Sequence, residues 1–181
     1  MTGYGLWEKN QFVLREETLP ILRAGFGPIR VLHLSDIHFV PGQQRKAEWL
    51  SSLAELRPDL VVNTGDNLSH AKAIDPLLEA LRPLMAFPGV FVPGSNDYFA
   101  PRLKNPASYL WGPSKSRPDP VELDWPRLRA GFGMGGWVDL TNRCQSLVIR
   151  GLRVDFSGVD DPHLRLERYA GWPRGTKGQD A

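Results

Sequence analysis

The chain has 181 residues, of which 41% are hydrophobic and 23% are charged, a composition typical of one globular domain. Its formal net charge of +2 comes from Lys and Arg residues spread along the sequence, which gives no support to nucleic-acid binding. The single cysteine, Cys144, excludes an internal disulfide, and no apolar run reaches the roughly 18 residues of a transmembrane segment. We therefore predict a soluble cytoplasmic protein.

The first elements read as strand, turn and helix. Residues 12–22 lean towards β-structure and predict a strand or short hairpin within an N-terminal extension, 1–28. The run "IRVLHLS" is typical of a buried strand, and it ends in polar residues at Ser35 and Asp36. From Gln43 onwards, apolar residues recur at helical spacing.

The alternation of strand and helix then repeats. "DLVVNTGD" predicts a second buried strand, and Asp75 is positioned to cap a helix that has Pro76 in its first turn. "GVFVPGSND" predicts a third strand, which ends in a polar turn. Three strands separated by two helices indicate an α/β fold with a largely parallel sheet.

The second half of the chain has a weaker pattern. Residues 100–126 are rich in proline and predict a long excursion that carries function or covers a site, with a short helix over Trp125–Phe132. "WVDLTN", "SLVI" and "LRVDFSGVD" predict antiparallel strands with a tight turn near Arg150 and Gly151. We predict a main domain over 29–165 and a disordered tail over 166–181.

Polar residues gather where the predicted strands end. The carboxyl ends of parallel strands meet at one rim of a sheet, where ligands bind in such folds. Oxygen and imidazole ligands of this kind suit Mn, Fe, Zn or Mg, and a carboxylate such as Asp66 can bridge two ions that hold a phosphate group. The rim residues are Asp36, His38, Asp66, Asn67, Ser95, Asn96 and Asp97.

Three short motifs on this rim, "DIH", "GDN" and "GSND", resemble the first blocks of the calcineurin-like metallophosphoesterase family. The family pattern is Asp-x-His, Gly-Asp, Gly-Asn-His-Asp/Glu, a lone His and Gly-His-x-His, and "GVDDPH" also resembles a later strand of bacterial members. The resemblance implies a sandwich fold with two divalent metal ions. Asp36 and His38 would hold the first ion and Asp66 would bridge both, so that a metal-bound hydroxide attacks a phosphoester.

The third motif departs from the family pattern. Ser95 stands where the family has its metal-binding Asn, and Asn96 stands where the family has the His that assists the leaving group. A shift of the turn by one residue would let Asn96 bind the second metal, so Asn96 is a candidate both as a ligand and at the catalytic position. The later histidine motifs do not occur in this chain, and we expect it to represent the N-terminal half to two-thirds of a truncated family domain.

These observations predict a hydrolase that acts on a phosphorylated small molecule or lipid. The alternative is an inactive remnant that serves as a phosphate-binding or partner-binding module, with self-association through an exposed sheet edge. A nucleotide-binding domain is disfavoured, because no glycine-rich phosphate loop follows the first strand.

Other polar residues have ordinary structural explanations beside functional ones. His33 is predicted to be a packed or hydrogen-bonded core residue, and His70 a solvated loop residue or a substrate contact. The stretch "DDPH", which ends in His163, is typical of a turn with capping carboxylates at Asp160 and Asp161. An extra metal site formed by the same residues is the less favoured alternative. Arg45 and Lys46 are exposed helix-start charges that can steer a phosphate.

Overall fold

A parallel sheet of four short strands organises the fold in the computed structural model, which describes residues 12–101 and 121–173. The strands lie in chain order across the sheet and every neighbouring pair is parallel. The predicted α/β class with a largely parallel sheet is therefore confirmed. The strands are β1 (Val31–Leu34), β2 (Leu60–Asn63), β3 (Gly89–Phe91) and β4 (Val138–Asp139).

Helices connect the strands. The α-helices are α1 (Gln44–Ser52), α2 (Ile74–Leu81), α3 (Ser95–Tyr98) and α4 (Trp125–Met134), and 3-10 turns cover Leu53–Leu56, Ala71–Ala73 and Leu84–Ala86. Because each crossover steps to the next strand in the same direction, right-handed connections place the helices on one face of the sheet. Accordingly, α1 contacts α2, and α2 contacts α4.

The hydrophobic core lies between that helical layer and the sheet. In β1 the side chains alternate, with Leu32 and Leu34 buried and Val31 and His33 exposed, as expected for a strand covered on one face. The largest fully buried side chains of the core are Phe39, Leu50, Leu68, Ile74, Leu77, Leu81, Leu84, Phe91, Leu128 and Phe132.

A separate antiparallel hairpin follows the sheet. It consists of β5 (Arg143–Ile149) and β6 (Leu152–Gly158), and its turn residues Arg150 and Gly151 have φ angles of 49° and 81°. Two residues with positive φ match the right-handed twist of the flanking strands, and they confirm the predicted turn. The prediction that "WVDLTN" is antiparallel is wrong, because β4 pairs in parallel with β3.

Two further local predictions are wrong. Residues 12–30 contain no strand, because their apolar side chains find no sheet neighbour; Val13, Leu19 and Ile21 are each at least 69% exposed. Asp75 is not the cap of α2, which begins one residue earlier, after a 3-10 turn. Asp75 lies in the first helical turn and pairs with Arg127.

Several predictions fall partly outside the described residues. The start of the N-terminal extension (1–11), most of the proline-rich excursion (102–120) and the end of the tail (174–181) are in this group. Residues 166–173 of the predicted tail have no helix or strand, and the proposed domain boundaries stay predictions. Over 12–101 and 121–173, the structure has no helix that is both long and apolar enough to cross a membrane.

Candidate metal centre

Two loops at the carboxyl ends of β1 and β2 carry the predicted ligands, and main-chain hydrogen bonds join them. The amides of Asp36, His38 and Phe39 donate to the carbonyls of Gly65, Asp66 and Asn67 over 3.1, 2.9 and 2.8 Å. Parallel pairing thus continues past the strands themselves. Phe39 and Leu68, which are fully buried, anchor the far end of both loops in the core.

The three predicted ligands share an uncommon backbone conformation. Asp36, His38 and Asp66 have φ angles of 54°, 45° and 55°, in the left-handed region that residues other than glycine rarely adopt. Such conformations cost on the order of 1–3 kcal/mol each, and they persist where the surrounding structure holds them, often at functional sites. The paired loops hold all three residues in this conformation, so that their side chains turn towards one another.

The donor atoms of these three side chains converge. One ligand atom from each of Asp36, His38 and Asp66 lies within 4.8 Å of the other two, and His38 Nε2 is 3.7 Å from Asp36 Oδ1. On the other side of the ring, His38 Nδ1 is 3.3 Å from the Ser69 hydroxyl. When Nδ1 carries the proton and donates to that hydroxyl, the Nε2 lone pair is free to bind a metal, and such outer partners orient ligating histidines. The donor set therefore fits a divalent cation.

Helix α1 supports the first ligand loop through Lys46. Its ammonium group donates to the carbonyl of Ile37, between the two ligands of that loop, over 2.8 Å. Burial lowers the pKa of Lys46. The prediction that Lys46 is an exposed charge is wrong, because this contact leaves it partly buried; phosphate steering by Arg45 or Lys46 stays a prediction.

Asn96 reaches Asp66 as a hydrogen-bond donor. The Asn96 amide donates to Asp66 Oδ1 over 2.9 Å, and its side-chain Nδ2 donates to Asp66 Oδ2 over 3.0 Å. Both oxygens of Asp66 are thereby tied to the start of α3. The structure brings Asn96 to the predicted site, and its roles as second-metal ligand and at the catalytic position stay predictions.

A buried network of polar side chains supports the loop that carries Asp66 and the helix that carries Asn96. Asn67 donates to the Asp97 carboxylate through its main-chain amide (2.8 Å) and Nδ2 (3.1 Å), and Gly94 donates to Asp97 over 3.0 Å. Asn63 Nδ2 donates to Asn67 Oδ1 over 2.7 Å. Asn67 and Asp97, which the sequence placed on the ligand rim, are completely buried and join the loop after β2 to α3.

Burial raises the pKa of Asp97 from 3.8 to about 6, although three N–H donors partly oppose this shift. A carboxyl with a raised pKa binds its proton more tightly in the folded state, so its stabilisation is complete below about pH 4 and is lost as the pH rises through 6. Between pH 5 and 7 we expect the metal-free protein to lose about 1 kcal/mol of unfolding free energy from this group.

Urea unfolding at several pH values tests this prediction, with Asp97→Asn as the variant and Asp155→Asn, on the exposed hairpin, as the control. Asp97→Asn should lose the slope between pH 5 and 7 and should be about 1–3 kcal/mol less stable at neutral pH, because an amide leaves one of the buried N–H donors unpaired. Equal slopes in all three proteins would contradict the assignment.

An open cavity of about 290 Å³ lies beside the ligand group. Asp36, Asp66 and Ser95 line one part of it, and the turn with Asp161 and His163 lines another. Asp161 Oδ1 accepts from the Leu164 amide over 2.9 Å, which confirms a turn with a capping carboxylate. The sequence alone could not place this turn against the ligand rim.

The other histidines do not join the ligand group. His33 Nε2 is 2.8 Å from the Thr64 hydroxyl, so this residue is hydrogen-bonded as predicted. The predicted core position is wrong, because the His33 side chain lies on the exposed face of β1. His70 is also exposed and accepts the Lys72 amide at Nδ1, at the start of the 3-10 turn.

Ser69 and Tyr98 support the site but were missed from the sequence. A serine near a ligand and a tyrosine in a turn are too common to signal a role, and their contacts arise only after folding. Both depend on partners more than 30 residues away, His38 for Ser69 and Asp160 for Tyr98.

Fold and site together define an α/β protein with carboxylate and imidazole donors on loops after adjacent parallel strands. Consistent with this class, the family described as calcineurin-like phosphoesterase matches residues 29–163. The chain belongs to this family, as its motifs indicated. No curated protein matches the chain closely enough to refine the assignment.

Proposed function

We propose that the chain hydrolyses a phosphomonoester or phosphodiester with the help of two divalent cations. The observation that carries this proposal is the convergence of Asp36, His38 and Asp66 within 4.8 Å, at the rim of a cavity open to solvent. The left-handed backbone conformation shared by these three residues supports it, because such conformations often persist at functional sites.

The protein's own residues position the reaction. Asp36, His38 and Asp66 would hold one cation, which supplies positive charge for the phosphoryl group and acidifies water. Ser69 orients His38, and the buried pair of Asn67 and Asp97 fixes the loop after β2 against α3. Asp66 and Asn96 would hold the second cation. For this, the Asn96 side chain, which now donates to Asp66, would have to present its amide oxygen instead.

The cavity indicates the substrate class. With about 290 Å³, it can enclose a phosphoryl group and part of a small organic group, and its openness leaves room for a longer one. We propose a phosphorylated small molecule or the headgroup of a phosphorylated lipid.

A second candidate is a module that binds phosphate or a partner without turnover. It is favoured by one observation: Asn96 satisfies both oxygens of Asp66, so this part of the site is stable without a second cation. Such a module would bind one cation and would not cleave phosphoesters.

Metal content and turnover test the two candidates together. The purified full chain is loaded with Mn²⁺ or Zn²⁺, desalted and measured by inductively coupled plasma mass spectrometry, and then assayed with p-nitrophenyl phosphate and bis-p-nitrophenyl phosphate. We expect at least about one retained ion per chain and metal-dependent hydrolysis. Both should fall at least ~100-fold in His38→Gln, which lacks the imidazole donor.

The matched control is His70→Gln, which alters an exposed loop histidine outside the ligand group and should behave as the wild type. Retained metal without turnover would favour the binding module. Turnover that survives in His38→Gln would refute the proposed site.

A further inference from the structure

The charges that line the cavity raise a problem for an anionic substrate. Four carboxylates line it, Asp36, Asp66, Asp160 and Asp161, and its lining over the described residues includes no Lys or Arg. His163 is the one imidazole in this lining. Apart from hydroxyl groups, it is therefore the side chain there that can donate a proton.

The turn that carries His163 is held in place by buried hydrogen bonds. Asp160 is 8% exposed, and its Oδ1 accepts from the Tyr98 hydroxyl (2.8 Å) and from the Asp161 amide (2.7 Å). Burial and the contact with Asp160 raise the pKa of Tyr98, so its hydroxyl keeps the proton that it donates. The Asp160 amide in turn donates to Asn142 Oδ1 over 2.9 Å.

Tyr98 connects this turn to the ligand group. It is the last residue of α3, the helix whose Asn96 binds both oxygens of Asp66. The His163 turn and the bridging carboxylate are thus attached to opposite ends of one helical turn. These contacts hold the backbone of the His163 turn at the cavity wall.

Asp161 is placed to hold the His163 ring. His163 Nδ1 is 3.6 Å from Asp161 Oδ1, and Asp161 is only 5% exposed, whereas the His163 side chain is 84% exposed. The buried carboxylate is placed to accept from Nδ1–H and so to orient the ring, which leaves Nε2 of the imidazolium form as the proton donor to a ligand.

We propose that His163 is the proton donor to the leaving group in the hydrolysis, with Asp161 as its positioning residue. This inference rests on the proposed function. In the net reaction, the oxygen of water bonds to phosphorus and the bond from phosphorus to the leaving oxygen breaks. His163 gives a proton to the departing oxygen and is reprotonated by a proton released from the consumed water.

The other donors near the cavity are less suited to this step. The Ser35 hydroxyl donates to Asp36 Oδ2 over 2.5 Å, and the amide of Asn96 is bound to Asp66. The hydroxyls of Thr64 and Ser95 are far weaker acids than an imidazolium. The charged groups that line the cavity together with His163 are Asp161 in its own turn, Asp160 beside it, and Asp36 and Asp66 in the loops after β1 and β2.

Two substrates that differ only in the leaving group test this role. Phenolate is basic, with a pKa of about 10 for its conjugate acid, and needs a proton to depart, whereas p-nitrophenolate leaves without one. His163→Asn should lower kcat/KM for phenyl phosphate at least ~100-fold, and for p-nitrophenyl phosphate less than ~10-fold. Asp161→Asn should shift the pH dependence of kcat/KM for phenyl phosphate. His70→Asn should leave kcat/KM for both substrates unchanged.

Equal losses with both substrates, or no loss with phenyl phosphate, would overturn the proposal. Nuclear magnetic resonance of ring-labelled histidines supplies an independent readout when inorganic phosphate is added to the Mg²⁺-loaded protein. The His163 ring signals should shift and those of His70 should not; unshifted His163 signals would also overturn it. If the wild type cleaves neither ester, the proposed function fails, and the phosphate titration still decides whether His163 faces the phosphate.

Discussion

Asp66→Asn is expected to abolish metal retention and to reduce phosphoester hydrolysis at least ~100-fold. The substitution keeps the shape of the side chain and removes the negative charge that would hold the proposed cation together with Asp36 and His38. It also replaces one oxygen by an N–H donor, although both oxygens of Asp66 accept from Asn96. One N–H group at the start of α3 therefore loses its partner, at a cost of about 1–3 kcal/mol.

Metal per chain, turnover and urea unfolding are measured in parallel for this variant. The matched control is Asp124→Asn, because Asp124 caps α4 through the Arg127 amide and asparagine caps a helix equally well. This control should retain metal, activity and stability. A folded Asp66→Asn protein with wild-type metal content and turnover would contradict both the assigned site and the proposed function.

The ligand residues could be predicted from the sequence because their signals are local. A short apolar run that ends in Asp36, and a second that ends in Asp66, predict adjacent parallel strands whose ends meet at one rim. The structure brings Asp36, His38 and Asp66 together as that reasoning requires. Spacing could not reveal their left-handed φ angles, since those depend on the pairing of the two loops.

Other features depend on contacts between distant parts of the chain. β4 has only two residues, and its partner is decided by the packing of α4 and Trp137 against the sheet, not by its own sequence. Asp97 is held in its buried position by Asn67, which lies 30 residues earlier in the chain. The turn of His163 is held by the hydrogen bond from Tyr98 to Asp160, which joins residues 62 positions apart. Neither Asp-rich turns nor single histidines signal such partners in advance.

The loop after β2 and the loop after β3 approach each other closely at Gly65 and Gly94, which leads to a further strong prediction, for Gly94→Ala. A Cβ atom at position 94 would lie 2.2 Å from Asp66 Oδ1 and 2.6 Å from the Asp66 amide nitrogen. Gly65 has a matching restriction, because a Cβ there would lie 2.2 Å from the Gly94 nitrogen. The two loops therefore touch through glycine backbones, and the contact sets the position of the Asp66 carboxylate.

We expect Gly94→Ala to push the Asp66 loop away from α3, with a loss of about 1–3 kcal/mol in unfolding free energy. The cation site should weaken as well, since a displacement of Asp66 separates its oxygen from those of Asp36 and His38. Gly133→Ala is the matched control, because Gly133 lies exposed in α4 and a Cβ there meets nothing within 4 Å. Alanine should stabilise that helix by up to about 1 kcal/mol without changing metal binding.

Isothermal titration with Mn²⁺ and urea unfolding distinguish a specific effect on the site from a general one on the fold. If Gly94→Ala loses stability but binds the cation as tightly as the wild type, the carboxylate of Asp66 is not positioned by this contact. If it loses both, while Gly133→Ala keeps both, the glycine contact between the loops is part of the metal centre. The same backbone approach that allows Asn96 to reach Asp66 then limits position 94 to a residue without a side chain.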